Sequence, residues 1–253
     1  MSNRLYDACL LCGGKGKRLL PITNDLVPKS LVEIHGKKLI QFSLDTLNAL
    51  PVSRVIFAVD HQSDALRLWA EQQRLVFPIS FSEQVNPGIL PALQSATTLM
   101  AGKSAIVCNT DEIRLHLKLQ PALDFHEASR GLATMVVTRS TNLSHHRVVE
   151  VDIAGLVRST SLKDARYLEH PELSGLVNTG IMIFEPQAFA HSDRLHDAGW
   201  SGIIDPLVAA GQLRAYVDTN IIYFNVGTEA EYHEAAGFLE QHTRNNQCRQ
   251  CAT

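Results

Sequence analysis

Short aliphatic or β-branched runs alternate with longer stretches of helical period along these 253 residues, the pattern of a mostly parallel sheet covered by helices. Runs of the first kind predict strands over 6–12, 54–59, 79–81, 105–109, 133–137, 148–151, 177–184 and 213–217. Apolar positions three and four apart predict helices over 39–47, 64–73, 90–100, 120–129 and 203–210. A last helix over 229–241 is expected to close the fold, with Thr228 at its N-cap and Glu231 as the acceptor three residues on. The predicted class is α/β, a three-layer and mostly parallel sheet with helices on both faces. Residues 142–174 are polar and poorly periodic, with Gly155 marking a turn between two short strands. They read as a small β excursion over the active face. One domain is expected over 1–243, followed by a frayed tail at 244–253.

Composition narrows the function classes. At 45% hydrophobic the chain can bury one substantial core. A net charge of -3 and a pI near 6.4 supply no broad attraction to nucleic acid or to an anionic membrane, so neither is an expected partner. Any phosphate ligand needs a local site. The first apolar run, 5–12, is interrupted by Asp7 and ends in glycines, unlike a signal peptide or a spanning helix, so a soluble, cytoplasmic protein is expected. Cys9, Cys12 and Cys108 sit in apolar runs as buried thiols, and Cys248 and Cys251 lack the second ligand pair of a zinc site. A homo-oligomer is compatible with the sequence.

The strongest chemical signal follows the first predicted strand, at Leu11-Cys12-Gly13-Gly14-Lys15-Gly16-Lys17-Arg18. Glycines there let the main chain approach a ligand, and exposed N–H groups in such a nest attract phosphate oxygens. A dinucleotide fingerprint is excluded by spacing, because counting from Gly14 puts Leu19 at the third small position. Gly102-Lys103-Ser104 precedes a strand and has Thr97 where the first glycine of a P-loop belongs, so it reads as a turn.

The loop continues as Leu20-Pro21-Ile22-Thr23 and then Val27-Pro28-Lys29-Ser30-Leu31-Val32. The composite from 10 to 40 resembles the opening signature of the sugar-1-phosphate nucleotidyltransferases. That resemblance implies a Rossmann-like fold and a nucleotide site formed by Leu11, Gly13, Gly14, Lys15, Gly16, Lys17, Arg18, Lys29, Glu83 and Gly88. Arg18, Lys29 and Asp111 take the catalytic roles by the same resemblance. Asp111, after the strand over 105–109, matches the family's magnesium aspartate, and Mg2+ is the expected cofactor. Asn225 stands where a second metal carboxylate is usual, and an amide oxygen can also ligate a hard cation. On the acceptor side the resemblance points to Asn109, Lys163, Asn178, Thr179 and Gly180 around a sugar 1-phosphate. Leu162, Ile89 and Pro91 depart from the pattern, which leaves base and sugar open.

The expected activity is transfer of a nucleotidyl group from an NTP to a sugar 1-phosphate with release of pyrophosphate. Two other readings stand beside it. One is a cytidylyltransferase for a small non-sugar phosphate such as phosphocholine, which an aromatic box for a quaternary ammonium would support; the other is a non-catalytic relative that binds nucleotide or sugar phosphate.

Overall fold

β1 (Tyr6–Leu11) is apolar except at Asp7 and is buried on both faces, which makes it the centre of the sheet. In the computed structural model, residues 4–60, 62–84, 86–100, 102–141, 143, 146–162, 166, 169–170, 173–192 and 199–250 are described. β1 lies parallel between β4 (Val52–Val59) and β6 (Ala105–Asn109), and β4 carries β5 (Ile79–Glu83), also parallel, at its outer edge. Beyond β6 the direction reverses. β11 (Gly175–Phe184) runs antiparallel to β6, to β8 (Ala133–Ser140) and to β9 (Arg147–Val151). β8 in turn carries β12 (Leu213–Val217) parallel, and β9 forms a hairpin with β10 (Val157–Leu162) around Gly155.

The period of two along the central strands sends alternate residues to opposite faces, and each face has its own helices. Cys9, Ile56 and Ala58 pack against Leu93 and Ala96 of α4 (Ile89–Thr97), while Phe184 on that face meets Ile204 and Leu207 of α6 (Ser201–Ala209). Ala8, Leu10, Val55 and Phe57 face α2 (Leu39–Leu47), α3 (Ser63–Glu71) and α5 (Gln120–Ser129) through Leu44, Trp69 and Leu123. These three layers are the predicted architecture.

A third cluster of Leu19, Val32, Ile34, Leu39, Ile113, Val226 and Leu239 ties the end of the glycine loop to a small sheet and to α7 (Glu229–Gln250). That sheet pairs β7 (Glu112–Leu115) with β13 (Ile222–Asn225), antiparallel, and neither strand is predicted from the sequence. Also unpredicted are the short helix α1 (Leu20–Thr23) and the ribbon of β2 (Glu33–Ile34) with β3 (Lys37–Lys38). All are too short to show a period. The expected end of the last helix needs correcting, since α7 runs to Gln250 through the stretch expected to fray. Its polar second half has no apolar stripe to signal continuation, but it does have residues of high helix propensity.

Among the described residues no helix is long and apolar enough to cross a membrane. Cys9, Cys12 and Cys108 are free and buried, as expected, whereas Cys251 lies outside the described residues.

Candidate active site

Ligands of open α/β sheets gather at the carboxyl ends of strands where the chain leaves in opposite directions, and β1 lies between β4 and β6 at such a point. Its end is joined to that of β6 by Thr110, whose Oγ1 donates to the carbonyl of Leu11 over 2.8 Å. The glycine loop starts here. Gly14 and Gly16 have φ of 102° and 53°, the left-handed region that other residues resist. The chain then turns through residues 17–19 into α1 and returns at Pro28, whose φ of -60° starts the single turn Lys29–Leu31.

That turn sets Lys29 against the end of β6, where its Nζ donates to Asp111 Oδ2. Burial alone would raise the Asp111 carboxyl, but the ammonium of Lys29 outweighs it and holds the pKa below the usual carboxylate range. The main chain of Asp111 also accepts from the Val226 N–H over 2.8 Å, so the end of β13 is fixed beside it. Asn225 stands opposite Glu112 in that ladder.

Around this pair opens a cavity of about 470 Å³, lined among others by Leu11, Gly13, Arg18, Lys29, Asn109, Asp111, Asn178 and Asn225. A second, more apolar cavity of about 250 Å³ adjoins it, lined by Gly14, Lys15, Gln84, Gly88 and Ala92. The two share Leu11, Gly13 and Ile89 as a common wall.

The floor of the larger cavity is held by a buried ion pair. Glu112 Oε2 accepts from Arg114 Nη2 at 2.5 Å, and Glu112 Oε1 accepts from Asn109 Nδ2 at 3.0 Å. Burial raises the Glu112 carboxyl, Arg114 opposes that rise, and Asp111 adds to it. Arg114 also donates through Nε to the Thr179 carbonyl and through Nη2 to the Asn109 carbonyl at 3.2 Å. One guanidinium thus joins β6, β7 and β11. Gly180, with φ of 68°, is required here because a Cβ would lie 1.6 Å from Glu112 Oε2.

Most sequence-predicted residues line these cavities, but among the described residues Gly16, Lys17, Glu83, Thr179 and Gly180 do not. Thr179 is turned into the core, its Oγ1 donating to the Val136 carbonyl at 2.8 Å. Glu83 lies outside both cavities with its side chain 69% exposed, paired to Arg67 at 2.9 Å, and its neighbour Gln84 points inward instead. Lys17 is exposed and lines neither cavity. Lys163 lies outside the described residues. Gly16 contributes from below, where a Cβ would sit 3.5 Å from that of Lys29.

Sequence reasoning missed Ser30, Glu112, Arg114, His146, Arg147, Trp200 and Tyr223. Glu112 and Arg114 are two apart and so share one face of a strand, a signal that becomes readable only once β7 is known. Arg147 is held by Thr160 Oγ1 and Ser201 Oγ, each at 2.7 Å, so residues from β10 and α6 place it in the wall.

Asn225 has its amide nitrogen committed to Glu231 Oε1 at 3.2 Å, so only its Oδ1 is of a kind to meet a cation. Glu231 also accepts from the Gly227 N–H at 2.9 Å and from Thr228 Oγ1 at 3.1 Å, while Thr228 Oγ1 accepts the Glu231 N–H at 3.3 Å, the expected cap. Among the described residues no three His, Cys, Asp or Glu converge as a metal cage. A single carboxylate beside an amide oxygen still suits magnesium, which keeps several waters and takes further oxygens from substrate phosphates.

A family model described as nucleotidyl transferase matches residues 7–242. The chain belongs to this nucleotidyl transferase family. Two curated relatives are the mannose-1-phosphate guanylyltransferase catalytic subunit beta of Danio rerio, 32% identical over 82% of this chain, and mannose-1-phosphate guanylyltransferase 1 of Arabidopsis thaliana, 27% identical over 71%. The chain spans 58% and 50% of their respective lengths. HddC from Yersinia pseudotuberculosis, solved with GMP-PN, superposes with a TM-score of 0.73 at 20% identity over 92% of this chain and 99% of that one. At that identity the likeness supports the α/β fold of a nucleotidyl transferase.

Proposed function

We propose that this nucleotidyl transferase joins the NMP part of an NTP to a sugar 1-phosphate and releases pyrophosphate. The observation that carries this reading is the Lys29–Asp111 pair at the end of β6, facing the glycine loop across one cavity. An oxygen of the acceptor phosphate attacks the α-phosphorus in line. The new O–P bond forms as the bond to the β-phosphate oxygen breaks, and pyrophosphate leaves with that electron pair. A phosphate oxyanion needs no general base at neutral pH, so catalysis is positioning and charge neutralisation.

In this reading the glycine loop cradles the triphosphate, and Arg18 and Lys29 neutralise charge that spreads over non-bridging oxygens in the transition state. The base occupies the smaller cavity beside Gln84 and Gly88. The sugar lies on the side of Asn109, Asn178, Arg147 and Trp200. Asp111 and Asn225 would hold Mg2+, which supplies Lewis-acid polarisation of phosphate oxygens. The activities of the two guanylyltransferase relatives make GTP and mannose 1-phosphate the first pair to test. Pyrophosphate release is measured for the four common NTPs against a panel of sugar 1-phosphates. No release with any pair would remove the enzymatic reading and leave a binding protein.

A further inference from the structure

The Ser30 hydroxyl is unsatisfied in a way that the wall around it does not explain. Ser30 is 1% exposed, its Oγ is out of reach of solvent, and among the described residues it has no hydrogen-bond partner. It nevertheless lines the larger cavity together with Arg18, Lys29 and Asp111. A buried hydroxyl without a partner costs free energy, so a fold that keeps one usually gains from it elsewhere.

The backbone at this point is pinned on both sides. Leu31 N–H donates to the Pro28 carbonyl at 2.8 Å, Val32 N–H donates to the Lys29 carbonyl at 3.1 Å, and the Leu31 side chain is buried in the core beneath α2. Only rotation about Cα–Cβ is left to Ser30, and the cavity wall carries the cations Arg18 and Lys29 as well as the Asp111 carboxylate. Arg18 and Lys29 attract an anion with several acceptor oxygens, which an O–H donor can also serve.

We propose that Ser30 is a further phosphate-binding residue, its hydroxyl donating to a non-bridging oxygen of the NTP phosphate chain held by Arg18 and Lys29. This inference rests on the proposed activity and adds one donor to it. Serine carries no charge, so the bond orients the phosphate chain without adding to the local positive potential. Bound phosphate supplies an acceptor for the Ser30 hydroxyl, and the cost that the unpaired hydroxyl carries is relieved on binding.

Free-state stability and phosphate affinity should therefore move in opposite directions when the hydroxyl is removed. Thermal unfolding of the full chain is followed with and without tripolyphosphate and with and without each of the four NTPs, for wild type, Ser30→Ala and Ser30→Cys. Both variants should match or exceed the wild-type melting temperature without ligand. Both should bind tripolyphosphate and the preferred NTP about ten- to a hundredfold more weakly, the worth of a hydrogen bond to a charged group. Ser30→Cys keeps the volume and loses most of the donor strength, so it controls for the space that alanine leaves. Unchanged affinity in both variants overturns the assignment while leaving the proposed activity intact. A lower melting temperature with unchanged affinity makes Ser30 structural, which also overturns it. A wild type that binds neither tripolyphosphate nor any NTP overturns the proposed activity and this inference together.

Discussion

Lys29 and Asp111 form an ion pair of unlike partners, one expected on the phosphate chain and the other on a cation. Replacing Lys29 with alanine removes a positioned charge from a partly enclosed site, where such groups contribute several kcal/mol to the transition state. Turnover in pyrophosphate release should fall about 10²- to 10³-fold, by analogy with loss of one oxyanion donor, while the fold persists. A variant within a few-fold of wild type would take Lys29 out of the mechanism. Asn225 sharpens the metal reading because its amide nitrogen already serves Glu231 at 3.2 Å. Asn225→Asp exchanges that donor for a carboxylate facing another carboxylate, a like-charge contact that raises one pKa and destabilises the free protein. A nearby dication relieves the repulsion, so magnesium should raise the melting temperature of Asn225→Asp more than that of wild type and should half-saturate activity at lower concentration. Equal magnesium responses in the two proteins would place the metal away from Asn225.

β11 shows why an element can be legible while its role is not. Its apolar run from Ile181 to Phe184 announces a strand, and the Asn178-Thr179-Gly180 segment resembles the family's acceptor motif. Its register shift between Asn178 and Met182 depends on pairing with β8, which no local pattern encodes. The pleat of the strand sends Asn178 to the cavity and Thr179 to the core, so two neighbours expected to share a role are separated. Gly180 fills the gap over Glu112, and Gly180→Ala should be costly for two reasons. Its φ of 68° is strained for alanine, and the new Cβ would lie 1.6 Å from a carboxylate oxygen that Arg114 holds in place. The denaturation midpoint should fall by an amount equivalent to about 3 kcal/mol or more, the range of severe core substitutions. A loss below about 1 kcal/mol would mean that Glu112 can swing aside and that Arg114 does not fix it. The small β7–β13 sheet was illegible for a different reason: strands of four residues have too few positions for a period, and their pairing spans more than a hundred residues of chain.

Across the whole molecule, the reactive end of the sheet is matched by a polar clamp at the opposite end. Arg4 Nη2 donates to Glu185 at 2.6 and 2.7 Å, Ser104 Oγ donates to it at 3.0 Å, and His126 Nε2 lies 3.1 Å from it. His126 Nδ1 meets Thr134 Oγ1 at 2.8 Å, so the clamp joins the N-terminal segment, α5, β8 and the end of β11. Burial lowers the His126 pKa, and Glu185 opposes that shift without reversing it. Burial would raise the Glu185 carboxyl, but hydrogen bonds from Arg4 and Ser104 lower it overall. The consequences for stability have the same sign. A histidine with a depressed pKa binds fewer protons folded than unfolded, so stability falls as pH drops through the ordinary value of about 6.5 toward the folded one. A glutamate with a depressed pKa keeps its contribution above its ordinary value of about 4.5 and loses it as pH falls through the folded value. Denaturation midpoints measured from about pH 8 to about pH 3 should therefore decline in two stages. His126→Gln keeps a neutral donor for Glu185 and an acceptor for Thr134, and it cannot take up a proton. That variant should lose the upper decline near pH 6 and keep the lower one. If the decline near pH 6 persists unchanged in His126→Gln, the proton is taken up elsewhere and the clamp does not set the acid limit of the fold.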